Sequence, residues 1–317
     1  MVAWGERNQV ALYLAAIVFG GVVGLLAPSL AGPLETAITP LLGVLLFATF
    51  LGVPFAALGR AFADRRFLVV VILLNFVVVP VVAYGLSRTV AGDAGILLGV
   101  LLVLLTPCVD YVIVFAGLAG GDRTRLLAAT PLLMLLQILL VPVFLTVMVG
   151  SEATRALDPR PLLAAFALLI ALPLMLAVLT QLLAARVRFA RGIERASGSV
   201  VVPVMMLTLA TIVASQISRV SGAVPQLVSV VPVFLGFALI LAPLGALLAR
   251  IARLDAPRSR AVLFSGVTRN SLVVLPLALA LPEAFALAPL VVVTQTMVEL
   301  VVMVIMVAVV PRWIRSR

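Results

Sequence analysis

Cys108 is the single cysteine of the chain, and it stands in Thr106-Pro107-Cys108-Val109-Asp110-Tyr111, between the apolar runs Ala94–Leu105 and Val112–Ala119. Those runs are together long enough to cross a bilayer, so a proline, a thiol and a carboxylate fall at the centre of one span. A broken helix persists in hydrocarbon only where it lines a cavity or is buried in protein, because every backbone group needs a partner. An ionisable residue at a helix centre costs about 2.5–3.5 kcal/mol on insertion scales. The segment therefore reads as a site. A buried cysteine elsewhere would be a small hydrophobe, but directly after the proline of a break its thiol suits a substrate that bonds soft sulfur reversibly. One thiol gives moderate affinity, whereas three would hold such a ligand too tightly for release.

A second break is expected at Thr268-Arg269-Asn270, within Ser265-Gly266-Val267-Thr268-Arg269-Asn270-Ser271. Three ionisable residues, Asp110, Arg269 and Glu299, lie well inside spans. Sliding the chain by 159 residues lays Asp110 on Arg269, so the two are expected to pair where the broken helices cross, as a structural lock or as a coupling element. Glu299, in Thr294-Gln295-Thr296-Met297-Val298-Glu299, shows no local partner in the sequence and is expected to take up and release a proton. The candidate substrate set is Cys108, Glu299, Asn270, Thr268 and Thr106. The candidate coupling set is Glu299, Asp110 and Arg269. Asn75, Gln137, Thr208, Ser265 and Ser271 are weaker, since polar residues between membrane helices ordinarily serve as packing bonds.

These residues need a membrane fold to position them. Hydrophobic residues make up 64% of the 317 positions, charged residues 11%, and the mean hydropathy is +1.33. A bilayer solvates that surface and water does not. The sequence predicts ten spanning stretches, near Gln9–Ala27, Thr36–Leu58, Phe67–Leu86, Ala94–Leu118, Leu126–Val149, Pro161–Ala185, Ser199–Ile217, Pro225–Ala249, Ala261–Leu281 and Ala284–Val310. The first is too long, and lacks a small-residue cleavage pattern, to be a signal peptide. Pro80, Pro142, Pro173, Pro203 and Pro276 read as helix kinks.

The net charge of +10 comes from arginine alone, as the sequence has no lysine and no histidine. With the N-terminus inside, 17 of the 22 arginines fall in inner loops and four (Arg88, Arg155, Arg160, Arg219) in outer ones. That bias predicts an N-in, C-in protein of the cell membrane whose basic loops meet anionic lipid rather than nucleic acid. A lone cysteine excludes an intrachain disulfide, and without histidine a zinc or haem site is not expected. No cofactor is implied, and oligomeric state is left open.

Ten spans divide into two groups of five, near residues 9–149 and 161–310 of a single transporter domain. An odd number per group makes the second enter from the opposite face, and the broken spans four and nine hold matching places. The expected fold is all-α and integral to the membrane, with two inverted five-helix repeats whose broken helices cross.

At Thr106–Tyr111 with Gly120-Gly121-Asp122, at Ser265–Ser271, and at Asn75 to Pro80, the chain resembles the bile acid/arsenite/riboflavin transporter superfamily, most of all its arsenical-resistance permeases. The resemblance runs over all ten spans. It implies a panel domain and a core domain, and a functional cysteine and glutamate that match Cys108 and Glu299 by position. Sodium-coupled bile acid members carry a glutamate and a glutamine before the ninth-span asparagine, where this chain has Ser265 and Arg269. The resemblance thus implies that the sodium site is lost. The expected function is export of arsenite, with antimonite as a further cargo, in exchange for protons. The alternatives are a bile-acid-type symporter for an organic anion, coupled to sodium or protons, and a membrane sensor or scaffold, which the intramembrane charges disfavour. No enzymatic activity is expected. If Cys108 is the thiol ligand, Cys108→Ser should lose arsenite transport at unchanged expression, because volume is kept and the soft ligand removed. Full arsenite resistance in cells carrying the serine variant would reduce this cysteine to packing.

Overall fold

The computed structural model describes residues 8–51, 63–109, 111–149, 168, 171–184 and 186–315. Among these the chain is helical with no strand, apart from one isolated bridge between Pro107 and Arg269. Six helices are long and apolar enough to cross a membrane, and shorter apolar helices include Ala11–Leu26, Ala94–Leu104 and Leu172–Ala184. Asp110 and the arginines Arg7, Arg60, Arg155, Arg160 and Arg317 lie outside the described residues.

The elements follow the apolar runs. α1 spans Gln9–Leu26 and α2 Ala31–Leu51. The third run is α3 (Arg65–Leu73) and α4 (Val79–Ser87) joined by a π-turn, Leu74–Val78. The fourth is broken into α5 (Ala94–Leu104) and α6 (Tyr111–Leu118), and α7 spans Arg123–Val149. Then come α8 (Leu172–Ala184), α9 (Arg188–Val228) and α10 (Val231–Ile251). The ninth run is broken into α11 (Ala256–Val267) and α12 (Ser271–Leu279), and α13 spans Ala288–Trp313.

Several boundaries differ from expectation, among them the start of α2 at Ala31 and of α11 at Ala256. α9 is one helix of 41 residues, far longer than Ser199–Ile217, and it takes in Pro225, so the eighth helix starts only at Val231. Hydropathy sees the part of a helix that suits hydrocarbon, and the polar turn carrying Arg188, Arg191 and Arg195 falls outside that window. For the tenth run, a short 3-10 turn at Glu283–Phe285 precedes α13 and holds residues expected in the span.

The chain folds into two compact units, Met1–Pro54 with Pro159–Val224, and Phe55–Asp158 with Pro225–Arg317. The first unit packs small residue on small residue. A Cβ on Gly20 would lie 2.4 Å from the Ala210 carbonyl oxygen, and one on Gly24 2.4 Å from that of Ala214. Gly20 and Gly24 on α1 thus face Ala210 and Ala214 on α9, each pair four residues apart, which lets two backbones touch without a hydrophobic driving force.

The second unit encloses both broken helices. Every residue of α5 from Gly95 to Leu104 is buried, as are those of α11 from Ala261 to Val267. An all-apolar helix buried on every side is a core element rather than a lipid-facing one. Lipid-facing residues lie instead on helices such as α7, where Leu139 is 67% and Val147 76% exposed. At one end of this unit three aspartates stitch helix starts together. Asp64, ahead of α3, accepts from Phe67 N (3.2 Å), Arg125 Nε (2.7 Å) and Arg258 Nη1 (3.0 Å). Asp122 accepts from Arg125 N (3.0 Å), and Asp255 from Arg258 N (3.1 Å) and Nε (2.9 Å). Burial alone would raise the Asp64 carboxyl, but the Phe67 N–H and the two arginines outweigh it and hold it below the ordinary aspartate value.

Gly24→Leu should force α1 off α9 and cost about 1–3 kcal/mol as overpacking against backbone. The check is the unfolding midpoint in detergent, where Gly24→Leu should fall well below Gly32→Leu, since Gly32 has open space about it. Equal midpoints would remove this contact from the account.

Candidate functional site

The site is the place where the two broken helices meet. Cys108 N donates to Thr268 O at 3.3 Å and Asn270 N donates to Thr106 O at 2.9 Å. The two unwound segments thus run antiparallel, with Pro107 opposite Arg269. The bonds are symmetric at a spacing of 162 residues, since Cys108 stands to Asn270 as Thr106 stands to Thr268. Other features share that spacing. Asp93 caps α5 by accepting from Ile96 N (2.9 Å), and Asp255 caps α11. Thr106 Oγ1 donates to Leu102 O (2.8 Å), and Thr268 Oγ1 to Phe264 O (2.6 Å). The slide of 159 residues is therefore corrected, and the counterpart of Arg269 at the crossing is Pro107 rather than Asp110. The difference traces to the start of the tenth span, where the 3-10 turn at Glu283–Phe285 places the beginning of α13 at Ala288, 162 residues after Leu126, rather than at Phe285.

Arg269 is fully buried. Its Nη2 donates to Asn75 Oδ1 (2.8 Å), Ser265 O (2.6 Å) and Gly266 O (2.8 Å), and its Nη1 to Leu104 O (3.3 Å). The Phe237 ring lies 5.4 Å from the guanidinium carbon. Leu104 ends α5, and Ser265 and Gly266 lie in the last turn of α11, so the guanidinium bonds carbonyls that have no donor within their own helices. Asn75 sits in the π-turn, where the extra residue per turn is a common device for aiming a side chain at a site. Its Nδ2 donates to Val71 O (3.0 Å) and Ser265 Oγ (3.0 Å), which fixes its carbonyl toward Arg269.

Glu299 was expected to have no local partner, and the structure corrects this. Its Oε2 accepts from Arg269 N at 2.8 Å and from Gln295 Nε2 one turn earlier on α13. The i, i+4 spacing of Gln295 and Glu299 was the sequence signal for that contact. Gln295 and Glu299 line a small cavity of about 10 Å³, otherwise walled by apolar residues that include Leu104, Phe234 and Phe237. That volume is close to what one water needs. The Gln295 Oε1 and Asn270 Nδ2 atoms are buried with no hydrogen-bond partner among the described residues.

Of the expected substrate set, Cys108 is buried with its main chain in the crossing. It is not among the residues lining the Glu299 cavity. The Thr106 and Thr268 hydroxyls turn back onto their own helices, and Thr268 Oγ1 also lies 3.5 Å from Met303 Sδ. Asn270 caps α12 by accepting from Val273 N (3.3 Å). The crossing thus joins Thr106, Cys108, Thr268, Arg269, Asn270 and Glu299, while its relation to Asp110 lies outside the described residues. Leu104, Gly266, Phe237 and Gln295 carry the geometry without having been singled out for it, and Ser265, a weaker candidate, joins them.

Residues 39–224 match the Sodium Bile acid symporter family. The chain belongs to this family. No curated protein matches it. The matched stretch takes in Asn75 and Thr106–Val109 and ends before Arg269 and Glu299. Membership makes the protein a membrane transporter, in broad terms, with a small-molecule substrate, and agrees with its apolar helices. Three carbonyls at this crossing, Leu104 O, Ser265 O and Gly266 O, already accept from the Arg269 guanidinium. Among the described residues no group of three His, Cys, Asp or Glu side chains could hold a metal ion.

Asn75→Leu keeps the number and branching of the side-chain heavy atoms and removes both the acceptor for Arg269 and the donor to Ser265. Leaving buried polar groups unpaired should cost about 1–3 kcal/mol, seen as a lower unfolding midpoint and weaker transport. An unchanged midpoint would take Asn75 out of the site.

Proposed function

We propose that this family member is a secondary active transporter that exports arsenite, with antimonite as a further cargo, in exchange for protons. The proposed architecture is ten membrane helices in two inverted repeats, near 9–149 and 161–310, with both termini inside. The observation that carries the reading is the pairing of a lone thiol with a buried carboxylate through one short stretch of main chain. Cys108 N bonds Thr268 O, and the next residue, Arg269, gives its N–H to Glu299. A soft ligand for arsenic and a proton-accepting group are thereby tied to the same unwound segments.

Protonation has a direct consequence in this geometry. An ionised Glu299 accepts charge-assisted bonds from Arg269 N and Gln295, which are about twice as strong as neutral ones. Adding a proton weakens both and loosens α13 from the crossing. The carboxyl accepts from the Arg269 main chain, and the cavity residues from α5 and α10 are apolar. Thr106, Asn270 and Thr268 complete the proposed substrate environment, and Asp110 with Arg269 the proposed ionic set.

The family description favours a second reading, sodium-driven symport of a bile-acid-type organic anion. Two features weigh against its simplest form. The Arg269 Nη1 and Nη2 groups already donate to four protein oxygens and the residue is buried, so they are badly placed to receive a substrate carboxylate. The same charge opposes a sodium ion beside it.

The test is arsenite flux in membrane vesicles under an imposed pH gradient, with sodium absent. Wild type should accumulate or lose arsenite according to the gradient. Glu299→Gln, which mimics the protonated form, should abolish the response to pH while arsenite binding survives. A Gln variant that still follows the gradient defeats the coupling assignment. Flux of a bile salt, or arsenite flux only upon adding sodium, would favour the second reading.

A further inference from the structure

Arg269 is the largest fully buried side chain among the described residues. Four neutral oxygens converge on its guanidinium: Leu104 O, Ser265 O, Gly266 O and Asn75 Oδ1, at 2.6 to 3.3 Å. Three of these are carbonyls from the last turns of α5 and α11, the negative ends of two helix dipoles. A ring of carbonyl oxygens is the kind of shell that replaces water around a monovalent cation. The Phe237 ring, 5.4 Å from the guanidinium carbon, adds an aromatic face that also prefers positive charge. Oxygens, dipoles and ring therefore all call for a cation at this point, and they belong to four different elements: α5, α11, the π-turn and α10.

We infer that Arg269 is a tethered cation. Its guanidinium fills, from within the chain, a cation place built by these four oxygens, so the crossing is complete without an ion from solution. Cutting the tether leaves a site for a small hydrogen-bonding monovalent cation of the guanidinium class. The family's description implies sodium coupling, and this chain holds a positive charge of its own where the oxygens of its broken helices gather. The inference does not depend on which small molecule is carried, and its test needs no transport.

The experiment measures unfolding midpoints of purified protein in detergent, in choline buffer free of sodium. Arg269→Ala should melt several degrees below wild type. Low-millimolar guanidinium should then restore a saturable part of the loss in the variant and leave wild type unmoved. In Arg269→Ala with Asn75→Leu, half-restoration should need about tenfold more guanidinium, the effect of losing one good hydrogen bond. Restoration by sodium as well would support the cation place and show that it accepts a spherical ion. An alanine variant as stable as wild type, or one indifferent to every added cation, would overturn the inference. Where Arg269→Ala cannot be purified, Arg269→Lys and Arg269→Gln decide. The lysine variant should melt above the glutamine variant, and a glutamine variant equal to or above it would refute a role for charge.

Discussion

Two helices that break inside hydrocarbon must find partners for the unwound backbone, and here they find each other. The register of that pairing sets nearly everything around it. Thr106 O and Asn270 N, with Cys108 N and Thr268 O, flank the Pro107–Arg269 pair. In an antiparallel ladder the residues between such flanking bonds point their own N–H and C=O groups outward. Pro107 can stand there because it has no N–H to lose. Arg269 does have one, aimed away from the partner strand, and a buried N–H needs an acceptor. Glu299 supplies it from α13. An acceptor at this point is thus demanded by the register of the crossing, and Glu299 is the one that fills it.

The same geometry explains the guanidinium. α5 and α11 end at the crossing and present their negative poles, while α6 and α12 begin there and present their positive ones. A break of this kind leaves terminal carbonyls without helical donors. The Arg269 side chain returns across its own break to bond Ser265 O and Gly266 O, then reaches Leu104 O on the other broken helix. One residue therefore closes both strands' needs, with its main chain held by Glu299 and its side chain holding two helix ends. Asn75, fixed by the π-turn, gives the guanidinium an acceptor outside the broken helices.

Much of this was legible in the sequence. Thr106-Pro107-Cys108 and Thr268-Arg269-Asn270 stand out because charge, thiol and proline are costly in an apolar run, and the helices do break at both. The helix boundaries that failed were those where polar and helical character coincide, as at Arg188–Arg195 of α9, since hydropathy reports solvent preference rather than backbone form. The repeat register read from the spans was three residues off, and the acceptors described for the Arg269 side chain are mainly backbone carbonyls. Main-chain oxygens carry no side-chain signature, so no pattern of residue types could have named Leu104 or Gly266. Gln295 was readable, four residues before Glu299 on one helix face, but only once Glu299 was asked where its bonds go.

Coupling between two sites needs a connected element that both can bias, and the crossing offers a short one. From the Cys108 main chain to the Glu299 carboxyl there are two hydrogen bonds and one peptide unit, through Thr268 O and Arg269 N. Under the proposed cycle a cargo held at the thiol pulls on one unwound segment, and a proton at the carboxyl releases the other. Because the bonds at Cys108–Thr268 and Asn270–Thr106 are equivalents across the crossing, a shift that lengthens one without the other breaks its symmetry rather than its fold. The guanidinium keeps the helix ends satisfied while that shift occurs, since its contacts lie on the helix termini and Asn75 and not on the ladder. The part that must stay and the part that can move are thus carried by different atoms of one residue.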